Sequence, residues 1–149
     1  MAFEDDVPSE LKTILEKASD FHGHLGPFLT VGVRMGLVGL DRIGAQLSES
    51  LRIVVSLPLH VPFSCVVDGL QATTKCTIGN QKLSLRDAHT IQATFETYET
   101  GQRATVALNQ LVFQELKSKL LKERLPDKEI RKIAWKIATL PEEELFVII

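Results

Sequence analysis

Hydrophobic positions recur along the chain with two periods, and these periods predict the order of its elements. Apolar residues at helical spacing predict helices that run from Ser9, as N-cap, to about Phe21, from Pro27 to about Gln46, and from Phe63 to about Lys75. Alternating or β-branched segments predict strands at 51–57, 82–85, 90–98 and 103–108. Apolar stripes after residue 108 indicate further helices, and the last four residues are typical of a short closing strand. This order predicts an α+β fold.

Three glycines fall on one face of the second predicted helix, at positions 32, 36 and 39. An interior helical glycine costs about 1 kcal/mol relative to alanine. We therefore expect another backbone to pack closely against this face. The same helix carries a single charge, Arg34, which we expect to reach outward to solvent rather than to bind an anion.

Charge is distributed unevenly along the 149 residues. The segment 21–40 carries only Arg34, the segment 53–67 carries no charge, and the chain after Asn109 is rich in charged residues. Neither uncharged segment is a membrane span, because a spanning helix needs about 20 largely apolar residues. The net charge of −2 argues against nucleic-acid binding by bulk electrostatics. No basic and apolar leader is seen, so we expect a cytoplasmic protein without membrane or nucleic-acid partners.

The first candidate for chemistry is the pair His22 and His24. In a loop, two residues separated by one position can face the same way, and Gly23 lets the backbone bend toward a ligand. The free N–H groups of the helix that follows favour anions. The pair is therefore a candidate for binding a metal or a small anionic ligand. The alternative is two loop histidines, one of which caps the helix.

The second candidate is a set of polar residues at the third predicted helix, namely Cys65, Asp68, Gln71 and Cys76. At about 100° per residue, Cys65, Asp68 and Cys76 fall within an arc of about 80° if the helix is continuous. Thiols and imidazoles suit zinc or another transition metal, and a carboxylate can complete the set. The position of Cys65 near the helix start predicts a lowered thiol pKa. The alternative is that both cysteines are buried as small hydrophobic residues.

These segments also carry a family resemblance. The segment FHGHLGPFLTVGVRMG resembles FHGHLCPG, the opening motif of the formylmethanofuran dehydrogenase E-subunit family. The segment SCVVDGLQATTKCTIGNQKL is similar to the second motif of that family, roughly SCxVDAxQxxTGCTxGKGNL, and PEEELFVII resembles the end of its core domain. The resemblance implies a single domain over 1–149 with an α-β-α-β-β-β core. Its mixed four-stranded sheet would be like that of the catalytic domain of glyceraldehyde-3-phosphate dehydrogenase, with C-terminal helices added.

The resemblance also implies a cytoplasmic homodimer with a transition metal, often zinc, in a pocket. Carried over by position, the metal ligands would be His22, His24, Cys65 and Cys76. Asp68 and Cys76 would be catalytic, with Asp68 as a general base, and Gln71 would contact a cofactor.

The sequence departs from the family motifs in three places. Gly26 stands where the first motif has cysteine, and Asn80 and Lys82 replace the usual lysine and asparagine of the second. We also expect the cysteine-rich zinc module of many family members to be absent after Ile149. Two hypotheses follow. The first is a metal-binding protein that acts in, or is accessory to, one-carbon (methanofuran) metabolism, with its enzymatic status open. The second is a non-catalytic module for a small ligand or a partner, which has lost the metal chemistry.

Overall fold

Six helices and five strands form the part of the chain that the computed structural model describes, residues 3–44, 50–122 and 124–149. After a 3₁₀ turn at Phe3–Asp6, the elements are α1 (Ser9–His22), α2 (Pro27–Ile43), β1 (Leu51–Leu57), α3 (Cys65–Thr74), β2 (Leu83–Asp87), β3 (Gln92–Thr97), β4 (Arg103–Leu108), α4 (Gln110–Lys122), α5 (Asp127–Thr139), α6 (Glu142–Leu145) and β5 (Phe146–Ile148). The predicted α+β class is confirmed, and so is the α-β-α-β-β-β order from α2 to β4.

Element ends differ from the predicted ones by a few residues. Ser9 is the first helical residue of α1, and Pro8 precedes it as the N-cap. Gly44 follows α2 as its C-cap and adopts the left-handed conformation, with φ +62°. The predicted end of this helix at Gln46 lies outside the described residues.

The strands form one mixed sheet in the order β2-β1-β3-β4-β5. Strand β1 pairs parallel with β2, and the other pairs are antiparallel. The expectation of four strands is wrong in its count, because β5 adds a fifth strand along β4, with Val106 opposite Ile148. The closing strand suggested by the last residues is therefore part of the main sheet.

The two faces of the sheet have different surroundings. Inward residues such as Ile53 and Phe95 are almost fully buried and join one hydrophobic core with Val31 of α2 and Leu70 of α3. Alternate residues of β1, β3 and β4 remain partly exposed on the other face, as their period of two predicts. No helix in the described ranges is long and apolar enough to cross a bilayer.

Glycines allow α2 and α3 to cross at very short range. A Cβ atom on Gly32 would lie 2.2 Å from the carbonyl oxygen of Val66, and one on Gly69 would lie 2.4 Å from that of Leu29. The expected backbone approach is confirmed at Gly32. The crossing fixes the start of α2 beside the first turns of α3. This places the segment 22–24, which carries the two histidines, near Asp68.

Arg34 joins α2 to the end of α5. Its Nη1 donates to the carbonyl oxygen of Ile137 at 3.0 Å and also to that of Leu140. The expectation that this side chain reaches out to solvent is wrong, because it satisfies carbonyl groups at a helix C-terminus instead. Burial lowers the pKa of Arg34, and the nearby charge of Glu142 opposes this shift.

Candidate functional site

A contact between His22 and Asp68 joins the two sequence motifs. His22 is the last residue of α1, and Gly23, with φ +112°, turns the chain away from the helix axis. The Nδ1 atom of His22 lies 2.6 Å from Oδ2 of Asp68 on α3. Because an ionised carboxylate only accepts hydrogen bonds, this contact places a proton on Nδ1, and in the neutral form of the ring the lone pair is then on Nε2.

Gln71 fixes the other oxygen of Asp68. Its Nε2 donates to Oδ1 of Asp68 at 3.1 Å, and its Oε1 accepts from the backbone N–H of Ile78 at 2.9 Å. Gln71 thus bridges the carboxylate and the turn after α3. Both carboxylate oxygens of Asp68 are engaged by side chains, which orients the group toward His22.

The two histidines and Cys65 line one cavity of about 270 Å³. The ring centroids of His22 and His24 are 5.1 Å apart. The remaining wall is mostly apolar and comes from the start of α2, the loop before α3, α4 and α5; it comprises Gly26, Pro27, Phe28, Leu29, Val61, Pro62, Leu120 and Ile130. Three polar side chains therefore line a cavity whose wall is otherwise apolar.

The surroundings of Cys65 disfavour its thiolate form. Burial raises the pKa of the Cys65 thiol, and the negative charge of Asp68 raises it further. The predicted lowering of this pKa at a helix start is wrong, because burial and a nearby carboxylate outweigh any effect of the helix dipole. A metal ion would have to displace the thiol proton in order to bind.

Cys76 does not lie with the other candidates. Its side chain is 1% exposed in the hydrophobic core, and its Sγ is 3.7 Å from the carbonyl oxygen of Leu51 on β1. Helix α3 ends at Thr74, and Lys75 reverses the chain in a left-handed conformation with φ +62°. The predicted arc of Cys65, Asp68 and Cys76 needed a continuous helix, so it does not form.

The donor types fit a metal better than their arrangement does. Two imidazoles and a thiol are ligands that zinc and similar ions favour. Within residues 3–44, 50–122 and 124–149, however, no three His, Cys, Asp or Glu side chains are grouped so that they could hold an ion. A Cβ on Gly26 would lie 3.2 Å from Cε1 of His24, so the cysteine of the usual motif would stand directly beside this imidazole.

Sequence patterns missed the apolar half of the cavity. Val61 and Pro62 come from the loop before α3, and Leu120 and Ile130 come from α4 and α5. Leu120 and Ile130 belong to the predicted apolar stripes, but a stripe does not show which of its residues face a cavity. The loop residues carry no periodic signal.

Comparisons with known proteins give the family of the chain and support its fold. Residues 21–147 match the model of the family described as "FmdE, Molybdenum formylmethanofuran dehydrogenase operon". A crystal structure of a tungsten formylmethanofuran dehydrogenase FmdE-like protein from Syntrophus aciditrophicus superimposes with a TM-score of 0.55 at 23% identity. The superposition covers 93% of this chain and 70% of that one, and it supports the fold.

A curated relative from Archaeoglobus fulgidus is described as a probable S-adenosyl-L-methionine-binding protein. It is 29% identical over an alignment of 168 positions, which covers 97% of this chain and 44% of the relative. This chain therefore spans less than half the length of that relative.

Proposed function

The chain belongs to the FmdE family, and we propose that its domain binds a transition-metal ion, such as zinc, through His22, His24 and Cys65, whose side chains must first move close enough to share one ion. The observation that carries this proposal is the 2.6 Å contact between Nδ1 of His22 and Asp68. Metal-binding histidines commonly donate their second ring N–H to a carboxylate, which fixes the ring and makes the other nitrogen a better ligand. His22 has this partner, and it shares a cavity with His24 and Cys65.

Asp68 has a positioning role in this proposal. Its two oxygens are engaged by His22 and Gln71, so it supports the metal ligand instead of acting as the general base. Gln71 supports the metal ligand indirectly, because its hydrogen bond holds Asp68 in place. Cys76 is left out of the ligand set because it lies in the core against Leu51.

A bound metal would supply Lewis-acid chemistry or an activated water to a ligand in the cavity. The apolar wall around the three donors would exclude bulk water and strengthen their interactions with a charged group. The family description and the FmdE-like structural neighbour support a role in, or accessory to, one-carbon metabolism. We further propose that the protein acts in the cytoplasm as a homodimer, as the family resemblance implies.

Metal content tests this function directly. Protein purified without added metal should contain about one equivalent of a transition metal by elemental analysis, and chelator should lower its melting temperature. His22→Ala should lose the metal. His89→Ala should keep it, because His89 is exposed and does not line the cavity. Less than about a tenth of an equivalent, with stability unchanged by chelator, would contradict the proposal.

The second candidate function is binding of a small organic ligand without a metal. Two observations favour it, namely the mostly apolar wall of the cavity and Gly26, which supplies no donor. The Archaeoglobus fulgidus relative suggests S-adenosyl-L-methionine as the first ligand to test, and the N-terminus of α2 suggests small anions. Thermal stabilisation by such a ligand in chelator, retained in His24→Ala, would support this candidate. Loss of all binding together with the metal would exclude it.

A further inference from the structure

The sheet face opposite the helices carries a second concavity, of about 290 Å³. It is lined mainly by polar side chains of β1, β2, β3 and β4 and of the turn after β3: Arg52, Val54, Ser56, Arg86, Gln92, Thr94, Glu96, Tyr98 and Arg103. A solvent-facing side is normal for an antiparallel sheet. This one is distinguished by arginines that approach the same concavity from three strands.

Strand register places Arg86 and Arg103 at opposite corners of the concavity. Arg103 on β4 lies opposite Glu96 on β3, and Glu96 lies opposite Arg52 on β1. Arg86 on β2 lies opposite Ser56, four residues further along β1 than Arg52. Four residues of strand span about 13 Å, and β2 and β4 are three strand spacings apart, or about 14 Å. A ligand that contacts both Arg86 and Arg103 must therefore carry anionic groups at two separate positions.

The charges of Arg86 and Arg103 are available for a ligand. Arg86 and Arg103 are both exposed, and neither forms an ion pair with another described residue. The guanidinium of Arg52 lies 5.7 Å from the ring centroid of Tyr98, a distance at which a cation is attracted to the ring face. Glu96 is the single acidic residue among the side chains that line the concavity.

We propose that this face binds a small polyanion, a ligand with two or more phosphate or carboxylate groups. The planar guanidinium forms paired hydrogen bonds to phosphate and carboxylate oxygens. Arg86 and Arg103 are therefore suited to bind the anionic groups at the two ends of the ligand. The hydroxyls of Ser56 and Thr94 and the amide of Gln92 line the space between them. This site is separate from the histidine cavity, which lies in the helical layer.

The proposal predicts opposite effects for two kinds of substitution. In calorimetric titration with tripolyphosphate at low ionic strength, Arg86→Gln and Arg103→Gln should each weaken binding about threefold to tenfold. Glu96→Gln should tighten binding about twofold to fivefold, because it removes the acid at the centre. Arg131→Gln, an exposed arginine of α5 in the helical layer, should leave binding unchanged.

Three outcomes would overturn the proposal. They are the absence of saturable tripolyphosphate binding by the unchanged protein, an equal loss in Arg131→Gln, and weaker binding in Glu96→Gln. Circular dichroism of each variant confirms that the fold is retained. Removal of metal with chelator should not alter the titration, which separates this site from the proposed function.

Discussion

Gly32→Ala tests the packing that positions the candidate site. The new Cβ would lie 2.2 Å from the carbonyl oxygen of Val66, whereas real Cβ atoms do not approach closer than 3.0 Å. Helices α2 and α3 must therefore separate by about 0.8 Å or more at their crossing. The obstacle is a backbone atom, which cannot rotate away as a side chain can. We therefore expect a loss in the free energy of unfolding near the upper end of the range for overpacking, about 3 kcal/mol.

Alanine regains part of this loss through its helix propensity, about 1 kcal/mol relative to glycine. The net loss in the free energy of unfolding should therefore be about 2 kcal/mol. For a domain of this size that loss lowers the melting temperature by roughly 4–8 °C. Urea unfolding followed by circular dichroism measures the free energy, and a thermal scan measures the temperature.

Gly79→Ala is the matched control, because the nearest atom to its new Cβ would be Thr77 Oγ1 at 3.8 Å. This variant should be as stable as the unchanged protein. If Gly32→Ala is also within about 0.5 kcal/mol of the unchanged protein, the close crossing of α2 and α3 is refuted.

Four further predictions follow from individual contacts. Asp68→Asn should lower zinc affinity about 10–100-fold in a chelator competition, and an unchanged affinity would refute its role in positioning the ligand. Gly26→Cys should raise zinc affinity by about tenfold or more by placing a thiolate beside His24; no gain would contradict that placement. Asp68→Asn should also speed alkylation of Cys65 at pH ~8, because loss of the carboxylate charge lowers the pKa of the thiol; slower alkylation by mass spectrometry would contradict this. Arg34→Met should lower the free energy of unfolding in urea by about 2–3 kcal/mol, because two carbonyl groups lose a charged donor, and a loss under about 0.5 kcal/mol would refute this.

Local patterns were sufficient to predict the elements of this fold. Strands β1 and β4 have the predicted bounds, since their alternation of side chains is itself the property that the sheet satisfies. The glycine face of α2 predicted a close backbone neighbour, which is Val66 at Gly32. The fifth strand was indicated by the apolar end of the chain, but its pairing with β4 depends on the tertiary fold.

Tertiary contacts decide the parts of the site that were predicted wrongly. Lys75 adopts a left-handed conformation, which the presence of a lysine in the sequence does not predict. The resulting turn places Cys76 in the core. The turn is held by Asn80, whose Nδ2 donates to the carbonyl oxygen of Lys75 at 2.8 Å. The raised pKa of Cys65 likewise depends on burial and on Asp68, not on the position of Cys65 in its helix.

Cobalt(II) titration tests whether His22, His24 and Cys65 bind a metal, because the absorption spectrum of bound cobalt depends on the atoms that coordinate it. We expect a saturable spectrum with a thiolate-to-cobalt charge-transfer band. The band should disappear in Cys65→Ser and persist in Cys76→Ser, since only the first thiol lines the cavity with His22 and His24. Absence of the band in the unchanged protein, or its loss in Cys76→Ser with retention in Cys65→Ser, would show that Cys65 is not a metal ligand.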